Sequence, residues 1–176
     1  MNDILLVCYS RTGNTRLVAD ELAQLTGWPL ALISDTQPRA GWQGDLRCMF
    51  DAFFKTRPQY RYQGPALETF RHVVLLTPVW MKGLSAPLRA FLSQHDLSHT
   101  RVSVICTQGG RGGFSAVEEI AALTRQIPSP VQVLLQSEVL GGLSPQRLED
   151  FVVQVLASST YQRDRQRPAW LSPVAS

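Results

Sequence analysis

Short apolar runs of strand length alternate along this chain with segments of helical period, and that alternation limits the fold more than any other feature. Ile4–Tyr9 (ILLVCY), Leu30–Ile33, His72–Thr77 (HVVLLT), Val102–Cys106 (VSVIC) and Val131–Val139 read as five strands. They carry apolar residues on both faces, the signature of strands buried on two sides. Between them, Asn14–Leu25 places Leu17, Val18, Leu22 and Leu25 at helical spacing. Ala86–Gln94, Ser115–Gln126 and Pro145–Ser158 follow the same period, the last with Leu148, Val152, Val155 and Leu156 on one stripe. A parallel sheet covered by helices on both faces is the architecture that buries all of these surfaces. The expected fold is therefore α/β, a three-layer, doubly wound, five-stranded parallel sheet. The chain shows no fixed-period repeat and no low-complexity tract.

A chain of 176 residues suits one domain, expected over residues 1–160, with a polar tail over 161–176. That tail contains the basic stretch YQRDRQRP, read as a solvated end. No run approaches the roughly 18 apolar residues of a membrane span. The start, MNDILLVCYS, carries an acidic residue and leads straight into a strand, unlike a secretory leader. Cys8, Cys48 and Cys106 show no C-x-x-C spacing, so they read as small apolar residues in a reducing, cytoplasmic setting rather than as disulfides or zinc ligands. The net charge is +3, with fifteen Arg against two Lys, but the arginines are scattered and no nucleic-acid partner is expected. His72, His95 and His99 cluster with no Cys or carboxylate motif, and no metal site is expected.

One segment breaks the rhythm. Residues 34–71 are longer than a minimal crossover requires. Within them Leu46, Met49, Phe50, Phe53 and Phe54 fall on one helical stripe, flanked by Trp42, Tyr60 and Tyr62. The stripe fits a helix packed on the sheet, while the flanking aromatics fit either that packing or a ligand pocket.

Ligands of doubly wound sheets bind beyond the carboxyl ends of the strands, where the strand order reverses. Three loops there carry candidate chemistry. After the first strand, Ser10-Arg11-Thr12-Gly13-Asn14-Thr15 offers hydroxyls, a glycine turn and a helix N-terminus, a combination suited to an anion such as phosphate. An ordinary capped helix start would use the same residue types. The loop is neither a G-x-x-x-x-G-K-[ST] phosphate loop nor a G-x-G-x-x-G dinucleotide turn. After the third strand, Pro78-Val79-Trp80-Met81-Lys82-Gly83 puts a flat apolar ring at the sheet edge. After the fourth, Thr107-Gln108-Gly109-Gly110-Arg111-Gly112-Gly113 brings backbone close to a ligand with few side chains in the way, or forms a flexible linker.

With these blocks the chain resembles the flavodoxin-like FMN-binding family, whose phosphate loop has the pattern [ST]-x-T-G-x-T, matched by Ser10–Thr15. The resemblance covers residues 3 to about 158 and includes TPVWMKGLSAPLRAFL and CTQGGRGGFSAVEEI. It implies the strand order 2-1-3-4-5 and FMN as cofactor. Ser10–Thr15 would hold the phosphate, Pro78–Gly83 the inner face of the ring, and Thr107–Gly113 its pyrimidine side. Carrier flavodoxins are typically acidic and place a second aromatic after the fourth strand. This chain is basic and has glycines there, with Phe114 more suited to opening a helix. It lacks both the fifth-strand insertion of long-chain carriers and the post-fourth-strand insertion of tryptophan-repressor-binding-protein-like quinone reductases.

Two other families with this topology fail on their own residues. A low-molecular-weight tyrosine phosphatase needs C-x5-R, and position 14 is Asn, not Arg. A response-regulator receiver needs an acidic pair after the first strand, where Tyr9-Ser10 stands. The expected function is an FMN-dependent reductase passing electrons from a nicotinamide donor to a quinone or other small acceptor. The alternatives are a one-electron carrier docking on a redox partner protein and a non-redox interaction module. No dedicated catalytic acid or base is expected. Arg111, or else Lys82, would meet the charge of the reduced ring, and a homodimer is compatible with the sequence.

Overall fold

The computed structural model describes residues 3–36, 59–80, 83–142 and 145–166. Its strands are β1 Ile4–Tyr9, β2 Leu30–Asp35, β3 Tyr60–Gln63, β4 His72–Trp80, β5 Gly83–Leu84, β6 Arg101–Gln108 and β7 Val131–Leu135. Its α-helices are α1 Asn14–Thr26, α2 Ala86–Gln94, α3 Gly113–Thr124, α4 Gln136–Leu140 and α5 Pro145–Gln166.

β2, β1, β4, β6 and β7 lie side by side and pair in parallel, the order 2-1-3-4-5 that the family resemblance implies for the five long strands. β1 sits between β2 and β4, with Leu6 opposite Leu30 on one side and Val74 on the other. Its residues are buried throughout because helices cover both faces. Leu5, Val7 and Tyr9 pack in the layer of α2 and α3 with Leu88, Phe91, Ala116 and Ile120. Leu6 and Cys8 pack in the layer of α1 and α5 with Val18, Leu22, Leu148 and Phe151. Each such fully buried Leu or Val contributes about 1.5–3 kcal/mol, so the two-faced strands are the main stabilising feature. The cysteines behave as core residues: burial pushes the Cys8 and Cys106 thiols up to about 12. Cys48 lies outside the described residues.

α1 runs between two glycines in left-handed conformation, Gly13 (φ 96°) and Gly27 (φ 68°). The Gly27 N–H closes the helix on Ala23 O at 2.8 Å. α2 coincides with the expected Ala86–Gln94, since Pro87 at its start pre-sets a helical φ. α5 continues past Ser158 to Gln166, into the segment read as a tail.

The structure corrects the sequence reading in three places. The apolar run 131–139 is not one strand: β7 ends at Leu135, and Gln136–Leu140 is helical. Glu138 causes the switch by accepting the Leu135 N–H at 2.7 Å, and Arg147 holds its other oxygen at 2.7 Å. β4 does not end at Thr77 but runs to Trp80, paired with β6 as far as Pro78–Thr107. Two short strands were not expected. β5 pairs antiparallel with β4, and β3 pairs antiparallel with β2 along Leu32–Asp35. The proposed Phe-rich helix over residues 46–54, and Trp42, lie outside the described residues. Tyr60 and Tyr62 pack against Phe91, the latter ring stacked at 5.5 Å, and Tyr60 Oη also meets His95 Nε2 at 3.2 Å.

His72 opens β4 wholly buried, with Nε2 2.7 Å from Ser103 Oγ, and Ser103 donates in turn to Ser129 O at 2.9 Å. Burial, and then the charge of Arg101, hold its pKa down, from 6.5 to about 4. The unfolded chain therefore takes up a proton between these values that the folded chain refuses. Stability from this group is fully present above pH 6.5 and is lost as the pH falls towards 4. The loss amounts to about 3 kcal/mol at about 1.4 kcal/mol per pKa unit. In urea titrations at pH 7 and pH 4.5, His72→Gln should narrow the stability difference between the two pH values. An unchanged difference would assign the acid sensitivity to other groups.

Candidate functional site

Three of the parallel strands, β1, β4 and β6, end side by side where the order of connection reverses, and a cleft of about 400 Å³ opens beyond their carboxyl ends. Its volume falls in the range of small-molecule sites, about 300–1,000 Å³. Thr12, Asn14 and Thr15 line it from the start of α1, Pro78–Trp80 from the end of β4, and Thr107–Arg111 from β6 and the glycine loop. Eleven of the residues singled out in the sequence thus share one space. A twelfth lining residue, Gln136, was missed because its segment read as strand; the turn into α4 places it at the cleft.

The first loop is held by its own hydroxyls. Gly13 N–H donates to Ser10 Oγ at 3.2 Å, and the first bond within α1 runs from Leu17 N–H to Gly13 O at 2.9 Å. The N–H groups of Asn14, Thr15 and Arg16 therefore precede the helix's own ladder and point to its N-terminal end. Thr15 is buried, with Oγ1 2.7 Å from Oγ1 of Thr107, also buried. This bond ties the start of α1 to the end of β6 across 92 residues of sequence. Thr12 is the exposed hydroxyl of the loop.

On the second wall, the Trp80 indole lines the cleft while its Nε1 is buried without a hydrogen-bond partner among the described residues. The Arg11 guanidinium lies over the same ring, Cζ 4.9 Å from the centroid. Arg11 contacts the indole through a cation–π interaction and, like Ser10, Gly13, Gly83, Gly112 and Gly113, is not among the residues that line the cleft. Met81 and Lys82 lie outside the described residues.

The third wall is no flexible linker. Gln108 spans it, accepting the Gly113 N–H on Oε1 at 2.8 Å and donating from Nε2 to Gly110 O at 3.1 Å. Its glycines divide into two kinds. Gly112 has φ 108° at the N-cap of α3, and a Cβ on Gly113 would stand 2.7 Å from Val133 Cγ1. Those two are demanded by the fold. Gly109 and Gly110 have no left-handed φ; a Cβ would meet only Gln136 Oε1 at 4.0 Å in the first case and open space in the second. What their missing side chains leave clear is the cleft. Arg111 is an exposed cation on this wall, and among the described residues no carboxylate lines the cleft.

Among the described residues, no group of three His, Cys, Asp or Glu is placed to hold a metal ion. No helix among the described residues is long and apolar enough to cross a membrane.

By sequence, neither a protein-family model nor a curated protein matches the chain. By structure the likenesses are extensive. A candidate flavoprotein from Bacteroides uniformis superposes with a TM-score of 0.71 at 17% identity, over 86% of this chain and 97% of that one. A flavoprotein from Lactobacillus acidophilus, solved in complex with FMN, gives 0.60 at 16% identity over 80% and 98%. An FMN-bound flavodoxin variant from Fusobacterium nucleatum gives 0.52 at 13% identity over 88% and 94%. The chain has a flavodoxin-like fold. In a flavodoxin-like sheet of this order the crevice beside β1 and β4 is the place the topology leaves open, and the cleft lies there.

The division among the glycines is open to measurement. Gly113→Ala should cost about 1–3 kcal/mol through overpacking against Val133. Gly110→Ala should leave stability unchanged or raise it by up to about 1 kcal/mol. Thermal melts of both variants check this; equal losses would mean that the whole loop is constrained by the fold.

Proposed function

We propose that the cleft binds FMN and that the protein is an FMN-dependent reductase, taking electrons from a nicotinamide nucleotide and passing them to a quinone or other small acceptor. The observation that carries this reading is the meeting, in one cleft, of a hydroxyl-bearing helix N-terminus, an indole plate and a wall of backbone kept clear by Gly109 and Gly110.

The residues present fit the cofactor. The hydroxyl of Thr12, the side chain of Asn14 and the amides opening α1 suit one terminal phosphate, and so favour FMN over FAD. Trp80 offers an apolar face to a planar ring, and its buried Nε1–H lacks a partner that a polar ligand atom would supply. The backbone from Thr107 to Arg111, with the Gln136 amide opposite Gly109, offers donors and acceptors to the polar edge of such a ring.

When bound, FMN would supply hydride and electron transfer, and the protein would supply binding, orientation and charge. Arg111 provides positive charge at the exposed wall, where it would favour an anionic reduced ring or the phosphate of a nucleotide donor. Gly109 and Gly110 leave room for a second planar molecule. The elevated thiols of Cys8 and Cys106 take no part, since burial keeps both protonated.

Fluorescence quenching should show FMN binding more tightly than riboflavin, and Thr12→Ala should weaken FMN by about 1–3 kcal/mol. Equal affinity for both flavins would remove the phosphate-loop assignment; binding of neither would favour an interaction module. Anaerobic mixing of the FMN-loaded protein with NADH or NADPH should bleach the flavin absorbance in one two-electron step, more slowly in Arg111→Ala. Reduction only by a chemical reductant, in separate one-electron steps, would make the protein a carrier.

A further inference from the structure

Behind the indole wall lies a charged pair that the cleft itself does not expose. Arg89 on α2 is 2% exposed, and the side chain of Glu119 on α3 is 16% exposed. They meet as a two-pronged pair: Arg89 Nε donates to Glu119 Oε1, and Nη2 donates to Oε2 at 3.3 Å. Both then engage the backbone of one residue. Arg89 Nη2 donates to Leu84 O at 2.9 Å, and Leu84 N–H donates to Glu119 Oε2 at 3.4 Å.

Leu84 belongs to β5, a strand of two residues whose partners on β4 are Val79 and Trp80. Both partners line the cleft. The Leu84 side chain is buried in the core, but a two-residue strand paired on one side has few backbone hydrogen bonds of its own. The ion pair offers its backbone a donor and an acceptor, as a second neighbouring strand would. A Cβ on Gly83, which pairs with Trp80, would lie 3.7 Å from Trp80 O and 4.0 Å from Glu119 Oε2, so the carboxylate stands close to the backbone that joins β5 to the Trp80 end of β4.

Stability alone does not account for such a pair. Removing two charges from water costs about as much as their attraction returns, and apolar side chains of similar volume often serve equally well. What an apolar pair cannot do is hold a backbone N–H and C=O in one register.

We propose that Arg89 and Glu119 are positioning residues for the cleft: they fix the β5 backbone against β4 and thereby set the place of the Trp80 indole. The consequence for ligand binding rests on the FMN reading above; the positioning does not.

The test uses the full-length protein and the double variant Arg89→Met/Glu119→Leu, which leaves no unpaired charge. Amide exchange followed by NMR without flavin should show Trp80, Gly83, Leu84 and Ser85 exchanging at least tenfold faster, with the β1 and β6 amides unchanged. With FMN, the variant should bind at least tenfold more weakly and with shifted visible bands. Arg89→Lys, which keeps the charge but loses the fork, should fall between the two proteins. A folded double variant with wild-type exchange rates, affinity and spectrum would overturn the proposal. If the wild-type protein binds no FMN, the proposed function fails, and exchange alone decides: acceleration confined to residues 80–85 supports positioning, and uniform or absent acceleration refutes it. If the double variant does not fold, Arg89→Lys is judged by the same exchange pattern.

Discussion

The cleft is organised around β1, a strand paired in parallel on both sides and buried on both faces. β2 lies on one side of it and β4 on the other, so the strand order reverses at β1, the place where such sheets open a crevice beyond their carboxyl ends. The loop at Ser10–Thr15 therefore opens into space bounded by β4 and β6. The pairing Val7–Leu75 and Leu75–Val104 keeps the three strand ends level to within a few residues. A single hydroxyl contact, Thr15 to Thr107, then locks the helix after β1 to the strand two places away.

Much of this was legible in the sequence because the signals were local. A six-residue apolar run has to be buried, and Thr-Gly-Asn-Thr after it has to turn and start a helix. The five long strands and α2 followed from such local signals, whereas their order came from the family resemblance. Long-range polar contacts leave no such trace. Nothing near Thr15 indicates that its hydroxyl is taken by Thr107 rather than offered to the cleft, and nothing near Arg89 indicates a carboxylate 30 residues on.

Short strands escaped for a related reason. Tyr60–Gln63 alternates aromatic and polar residues over only four positions, and Gly83–Leu84 has only two residues, too few to establish a period. Both exist because a neighbouring strand end needed a partner. The misreading of 131–139 shows the converse: an apolar run long enough for a strand was cut at Leu135 by one carboxylate, Glu138, which is invisible to periodicity. That cut turns Gln136 onto the cleft.

The two kinds of glycine in the wall after β6 have an evolutionary consequence. Gly112 and Gly113 are bound by backbone conformation and by the proximity of Val133, so a change there is opposed by selection for folding alone. Gly109 and Gly110 answer to no such demand. A small side chain is open to these two positions at little cost to the fold. A lineage carrying this scaffold therefore has a pair of adjacent sites at which the breadth of the opening can drift or be selected, while the sheet and helices beneath remain as they are.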